Sequence, residues 1–146
     1  MKHYDVVVIG GSAAGLTAAI TARRHYPEKI VITVRIEEQV VIPCGIPYIF
    51  GTVQGPQEDL IPDAALDKNG IDLLVGKVTD IDREKQVITT DKGDQLGYDK
   101  LIIATGSVPI VPPFPGKDLP GIFAVEKMVP YLNRMLEALN NAKDLV

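Results

Sequence analysis

Two short stretches of the sequence carry residue types at spacings that could do chemistry: a glycine-rich turn, Gly10–Gly15, and a lone cysteine, Cys44. The turn follows an apolar, β-branched run, Val6–Ile9, which is typical of a strand buried on both faces of a parallel sheet. Good helix formers follow the turn. Glycines between a strand and a helix let the backbone approach a pyrophosphate, whose charge the helix start attracts. The pattern therefore indicates a dinucleotide-binding turn.

The turn departs from the usual GxGxxG pattern at one position, because Ser12 replaces the middle glycine. Serine is small enough to be tolerated there. Taken alone, the pattern leaves an ordinary glycine-rich turn without a ligand as an equal alternative. A preference for NAD rather than FAD is a third interpretation, which ligand-dependent melting would separate from the first.

Cys44 lies in a segment whose backbone is restricted by Pro43, Gly45 and Pro47. Directly after the cysteine, Ile46–Phe50 favours a short helix. A thiolate at a helix start is stabilised by the helix dipole and is a nucleophile near neutral pH. The alternative is a small buried hydrophobic residue, as most free cysteines are. The rigid setting beside a cofactor-binding turn favours the reactive thiol.

Composition limits the class of protein. The chain has 146 residues, 46% of them hydrophobic, which is enough for one domain with a substantial core. A net charge of −4 argues against nucleic-acid binding. No apolar run approaches the roughly 20 residues that span a bilayer, so we expect a soluble, cytoplasmic protein with no membrane partner. The single cysteine excludes an internal disulfide and a cysteine-rich metal site.

A second buried strand, Ile30–Val34, completes a βαβ unit around the turn. Arg35 then occupies the place where an Asp or Glu usually binds the ribose of a dinucleotide. Either Glu37 or Glu38 reaches back to the ribose, or Arg35 contacts the adenosine half differently. The remaining alternative is a surface arginine without a ligand.

The rest of the pattern predicts a short helix at Asp63–Asn69, a buried strand at Lys100–Ala104 and a C-terminal helix with an apolar packing stripe. The stripe consists of Val129, Leu132, Leu136 and Leu139. Three strand-like segments predict an antiparallel meander: Ile71–Leu74, Lys77–Asp82 and Gln86–Thr90. We therefore predict an α/β, Rossmann-like FAD/NAD(P)-binding domain with a parallel sheet, helices and an inserted antiparallel β-meander.

Four segments in this order resemble the FAD-binding half of the pyridine nucleotide-disulfide oxidoreductases, and they are most similar to the single-cysteine branch of CoA-disulfide reductases and NADH oxidases. The segments are the Gly10–Gly15 turn, PCGIPY at Pro43–Tyr48, YDKLIIATGS at Tyr98–Ser107 and PGKDLPGIF at Pro115–Phe123. The resemblance covers essentially the whole chain.

The resemblance implies a role for each matched position. Cys44 would be the redox-active residue beside the flavin, Val78 would meet the adenine through its backbone, and Ala104, Thr105 and Gly106 would pass close to the flavin. The FAD pyrophosphate would lie on Gly10, Gly11, Ser12, Ala13, Ala14 and Gly15. Pro43, Arg35 and Glu37 complete the predicted site, and NAD(P)H would be the co-substrate.

Several positions depart from the resembled branch. Ala13 stands where its peroxidases carry a histidine, which disfavours peroxidase chemistry. Val40 and Pro43 replace polar residues that CoA-disulfide reductases use, whereas Arg24 matches a basic position used for CoA. No second cysteine pairs with Cys44.

The resemblance also implies a larger enzyme. We expect residues 1–146 to be an N-terminal FAD-binding part, inactive and weak in FAD binding alone, without the NAD(P)H-binding and dimerisation domains. The complete enzyme would be a homodimer that passes electrons to a small-molecule disulfide, a CoA-type thiol or oxygen. The alternative is a stand-alone nucleotide-binding or redox-sensing module without turnover.

Overall fold

The predicted first strand is the buried half of β1, Lys2–Ile9, in a computed structural model that describes residues 1–146. The chain divides into two units. The sheet unit comprises Met1–Glu38 and Pro62–Gly106, and the cysteine unit comprises Gln39–Ile61 and Ser107–Val146. No helix in either unit is long and apolar enough to cross a bilayer.

The sheet unit is built on one six-stranded sheet in the order β3-β2-β1-β6-β5-β4. Its elements are β1, α1 (Ala13–His25), β2 (Val31–Arg35), α3 (Ala64–Asp67), β3 (Asp72–Val75), β4 (Val78–Asp82), β5 (Val87–Thr90) and β6 (Gln95–Ile103). The first four strands of that order run parallel, whereas β5 and β4 extend the sheet with antiparallel pairs. This arrangement confirms the predicted α/β fold.

One predicted strand has a different partner from the one expected. The sequence pattern predicts Ile71–Leu74 as part of the meander, but β3 pairs in parallel with β2, with Leu73 opposite Thr33. The assignment is wrong because four residues carry too little periodicity to reveal strand direction. The antiparallel meander therefore consists of β4, β5 and the first part of β6.

Both faces of β1 are covered, which explains its continuous apolar run. Alternate residues of a strand point to opposite faces. Val7 and Ile9 belong to one apolar cluster, whereas Val8 belongs to another that includes Ala19 of α1. The helix therefore packs on one face of the sheet and fixes the geometry of the turn that precedes it.

The cysteine unit contains α2 (Ile46–Ile49), a 3-10 helix at Pro56–Asp59 and α4 (Val129–Asn141). Its core consists of Val41, Ile46, Ile49, Val129 and Leu132, with Leu136 packed against it. Three residues of the predicted stripe on α4 thus pack as expected. Pro130 lies in the first turn of α4, where its missing N–H costs no helical hydrogen bond.

Candidate functional site

The glycine turn of the sheet unit follows β1 and is shaped by Gly10. This residue has a φ of +117°, which favours glycine. Its N–H donates to the carbonyl of Val34 at 2.8 Å. A Cβ at Gly10 would overlap the carbonyl oxygen of Ala104, whose own N–H donates to Ile9 at 2.7 Å. The turn is therefore held between the ends of β2 and β6.

Two further glycines allow other groups to approach the turn. A Cβ at Gly15, in the first turn of α1, would overlap the carbonyl oxygen of Gly10. A Cβ at Gly11 would overlap the side-chain carbons of Arg35. At both positions the missing side chain leaves space for the neighbouring group, and the Cβ of any other residue would fill that space.

The start of α1 offers hydrogen-bond donors and no competing acid. The first helical bond runs from the Leu16 N–H to the Ser12 carbonyl at 2.8 Å. The N–H groups of Ala13, Ala14 and Gly15 donate to no acceptor, and the first turn contains no acidic residue. The Ser12 hydroxyl is buried and unpaired, and it makes no cap bond. Free donors, an orphaned hydroxyl and room at the glycines fit a dinucleotide pyrophosphate.

Arg35 lies buried beneath the turn, with 3% of its surface exposed. Its guanidinium binds both carboxylate oxygens of Asp63, at 2.6 and 2.9 Å. Its Nε donates to the carbonyl of Glu37 at 2.8 Å, and Nη2 donates to that of Glu38 at 2.6 Å. The interpretation of Arg35 as a surface residue is therefore wrong, because a distant carboxylate compensates its charge and two carbonyls complete its bonding.

The other predicted residues of the sheet unit lie in different settings. Glu37 is half-buried, and its backbone rather than its carboxylate binds Arg35. Val78 begins β4 beside a bulge and packs against the apolar cluster of the sheet. Thr105 and Gly106 follow β6, are exposed, and continue from the Ala104 contact with the turn. The structure thus brings Gly10, Gly11, Arg35 and Ala104 together.

In the cysteine unit, Cys44 is a free and exposed thiol. The alternative of a buried hydrophobic residue is therefore wrong. Pro43 precedes it in a turn that the Gly45 N–H closes on the Ile42 carbonyl at 2.8 Å. The predicted helix follows as α2, but four residues give only a small dipole. The turn is therefore held by its backbone hydrogen bond, whereas the short helix contributes only a weak dipole.

A carboxyl that the sequence did not single out lies against this turn. Asp59 is 8% exposed, and a Cβ at Gly45 would overlap its Oδ1. Its Oδ2 is buried and has no hydrogen-bond partner. Burial raises the pKa of the Asp59 carboxyl because water no longer solvates the charge. The only sequence signal for this contact is Gly45, the glycine after the cysteine. In the structure Gly45 has ordinary helical dihedrals, which do not require glycine.

No group of three or more His, Cys, Asp and Glu side chains is placed to hold a metal ion. The parallel sheet, the glycine turn and the donors at α1 define a dinucleotide-binding α/β protein. The sequence profile of the family described as pyridine nucleotide-disulphide oxidoreductase matches residues 4–143. The chain therefore belongs to that family of NAD(P)H-dependent flavoprotein oxidoreductases, and membership implies FAD and NAD(P)H as the cofactors.

Individual relatives support this membership. An NADH oxidase of Methanocaldococcus jannaschii is 34% identical over 128 residues, which cover 82% of this chain and 29% of the relative. A CoA-dependent NAD(P)H sulfur oxidoreductase of Pyrococcus furiosus is 37% identical over 133 residues, covering 86% of this chain and 30% of the relative. The chain thus spans less than a third of the length of these relatives.

A solved structure shares the fold. The reduced CoADR-RHD protein of Bacillus anthracis superposes with a TM-score of 0.81 at 28% identity. The match covers 97% of this chain and 27% of the other.

Proposed function

We propose that these 146 residues form the FAD-binding part of a NADH oxidase or a CoA- or thiol-disulfide reductase, with Cys44 as the single redox-active cysteine. The observation that carries this proposal is the exposure of Cys44 in a turn fixed by backbone hydrogen bonds. An exposed thiol in a fixed position is open to attack and to repeated exchange. The NAD(P)H-binding and dimerisation domains would lie outside these residues.

The cofactor would be held mainly by backbone atoms. The N–H groups from Gly11 to Gly15 and the Ser12 hydroxyl would bind the pyrophosphate. Arg35 and Glu37 would define the adenosine side, with Val78 at the adenine and Ala104–Gly106 near the flavin. When bound, FAD supplies a two-electron relay between NAD(P)H and a sulfur atom.

The Cys44 sulfur would act as the nucleophile, which attacks in its thiolate form. Its attack on a small-molecule disulfide forms one sulfur–sulfur bond, breaks another and releases the first thiolate. Two electrons, originating from NAD(P)H, then cleave the mixed disulfide. A proton from solvent completes the second thiol, and Cys44 returns to its thiolate.

The names of the relatives indicate the class of acceptor. One is an NADH oxidase and another is CoA-dependent, which supports oxygen or a CoA-type sulfur compound. Arg24 is the matched basic position for CoA, and this residue is exposed. The neighbouring Arg23, in contrast, binds the carbonyls of Asn69 and Lys29. Arg24 is therefore the arginine available to a CoA phosphate.

The proposal is tested with the 146-residue chain and with the complete enzyme. The chain is titrated with FAD, and a saturable rise in its melting temperature supports the cofactor assignment. In the complete enzyme, Cys44→Ser should abolish disulfide reduction while leaving flavin bound. Full disulfide turnover by that variant would remove Cys44 from the mechanism, and retained flavin without any turnover in wild type would favour a binding module.

A further inference from the structure

Asp59 occupies an unusual place in the cysteine unit. Its Oδ1 lies where the side chain of Gly45 would be, and Gly45 directly follows Cys44. The φ of Gly45 is −82°, which any residue adopts. This glycine is therefore required by the approach of the carboxyl rather than by its own backbone.

The backbone holds Asp59 against the cysteine segment. The Ile42 N–H donates to the Asp59 carbonyl at 2.8 Å, and the Ile61 N–H donates to the Val40 carbonyl at the same distance. An isolated antiparallel bridge pairs Val41 with Leu60 between these bonds. The pairing thus holds the backbone of Asp59 beside the segment that leads into Cys44.

The Asp59 carboxyl contributes no hydrogen bond to the fold. Its Oδ2 is buried and has no hydrogen-bond partner. Leaving a buried polar group unpaired destabilises a protein. Burial also raises the pKa of this carboxyl, which favours its neutral form. An apolar residue of similar size would fill the space at lower cost, so stability alone does not account for an acid here.

We propose that Asp59 is a positioning residue for Cys44: the carboxyl group of Asp59 fills the space at Gly45 and holds the cysteine turn in its reactive conformation. This inference rests on the proposed redox role of Cys44. Displacement of the carboxyl releases the turn, and the thiol then behaves like one in a flexible peptide.

The test measures the rate at which iodoacetamide alkylates Cys44 in the folded chain, at one pH, for a set of matched variants. Asp59→Ala removes the carboxyl, and Gly45→Ala adds a methyl group where the carboxyl lies. Each should slow alkylation by about fivefold. Asp59→Asn keeps the shape of the side chain, and its rate should stay within about twofold of wild type.

Two control variants separate these effects from general changes in the unit. Gly51 has no atom within 4 Å of its would-be Cβ, so Gly51→Ala adds the same methyl group in open space. Glu58→Gln removes an exposed carboxylate next to Asp59 in the chain. Both should leave the alkylation rate unchanged, and thermal melting establishes that every variant is folded.

The double variant decides the inference. With the carboxyl absent in Asp59→Ala, the methyl group of Gly45→Ala has nothing to displace, so the double variant should react as slowly as either single one. Independent, multiplying losses would overturn the positioning role while leaving Cys44 redox-active. A slow Asp59→Asn would likewise overturn it, because a side chain of the same shape would then be insufficient to hold the turn. A wild-type Cys44 that reacts no faster than glutathione would instead remove the proposed function, and this inference with it.

Discussion

The glycine turn and the cysteine turn use glycine for different reasons. Gly10 has a positive φ, and its missing side chain leaves room for a backbone carbonyl. Gly45 has ordinary dihedrals, and its missing side chain leaves room for the Asp59 carboxyl. One turn is fixed by main-chain atoms that cannot move aside, whereas the other is shaped by a side chain that a substitution can displace.

Because of this difference, the glycine turn is suited to holding a cofactor, and the cysteine turn is suited to the reactivity proposed for its thiol. A backbone cradle presents N–H groups that no side-chain substitution nearby can remove, which suits a cofactor that must stay in place. A turn shaped by one carboxyl can be adjusted without changing its main-chain path, which would suit the redox role proposed for Cys44. The comparison predicts that substitutions in the first turn reduce stability and cofactor retention, whereas those in the second change a rate.

The largest effect should follow from Gly10→Ala. The new Cβ must occupy the space of the Ala104 carbonyl at a φ of +117°. Because the obstacle is backbone, relaxation requires β1 and β6 to separate. We expect a loss of more than about 3 kcal/mol in the free energy of unfolding, measured in urea, and complete loss of bound flavin.

Gly93→Ala provides the matched control in the same unit. Gly93 also has a positive φ, +84°, but no atom lies within 4 Å of its would-be Cβ. Gly93→Ala should lower the free energy of unfolding by about 1 kcal/mol, because only the unfavourable backbone conformation contributes there. Equal losses in the two variants would show that close approach contributes nothing at Gly10.

A smaller effect is expected from Asp63→Asn, which tests the support beneath the glycine turn. The guanidinium of Arg35 is buried, and the amide leaves its charge uncompensated. Because Asp63 is half-exposed, water offsets part of this cost, and we expect a loss of about 2 kcal/mol in urea unfolding. Lys85→Gln removes one partner of an exposed pair with Asp82 and should leave the urea midpoint unchanged. An unchanged midpoint in both variants would mean that the buried pair does not stabilise the turn.

The parts of the fold that the sequence predicted well are those with local signals. The run Val6–Ile9 and the helix formers after Gly15 place β1 and α1 within a few residues of their observed bounds. The stripe on α4 is equally local, because its members recur at helical spacing. Hydrophobic period, glycine and helix propensity suffice for such elements.

The parts that were missed depend on contacts between distant residues. Asp63 precedes α3 and resembles a helix cap, yet it makes no cap bond and instead pairs with Arg35, 28 positions earlier. The parallel pairing of β3 and the approach of Asp59 to Gly45 are likewise set by tertiary packing. A single sequence carries no local signal for such pairs.

The smallest effect concerns the pH dependence of stability at Asp59. Burial raises the pKa of this carboxyl, so the folded state binds its proton more tightly than the unfolded chain does. The stability it contributes is therefore complete below the unfolded pKa of about 4 and is lost as pH rises through the folded value. Asp59→Asn removes that loss. Between acid and neutral pH, the free energy of unfolding of the variant, measured in urea, should therefore increase by about 1 kcal/mol relative to that of wild type.

Asp5 in the sheet unit should show the opposite sign. The hydrogen bonds from the Lys29 ammonium and the Ile30 N–H lower the pKa of its carboxyl. Its stabilisation is present above the unfolded pKa and is lost as pH falls through the folded value. As pH rises, Asp5→Asn should therefore become less stable relative to wild type, whereas Asp59→Asn should become more stable relative to wild type. Parallel pH profiles of the two variants would contradict the distinction between a carboxyl that is paired and one that is buried alone.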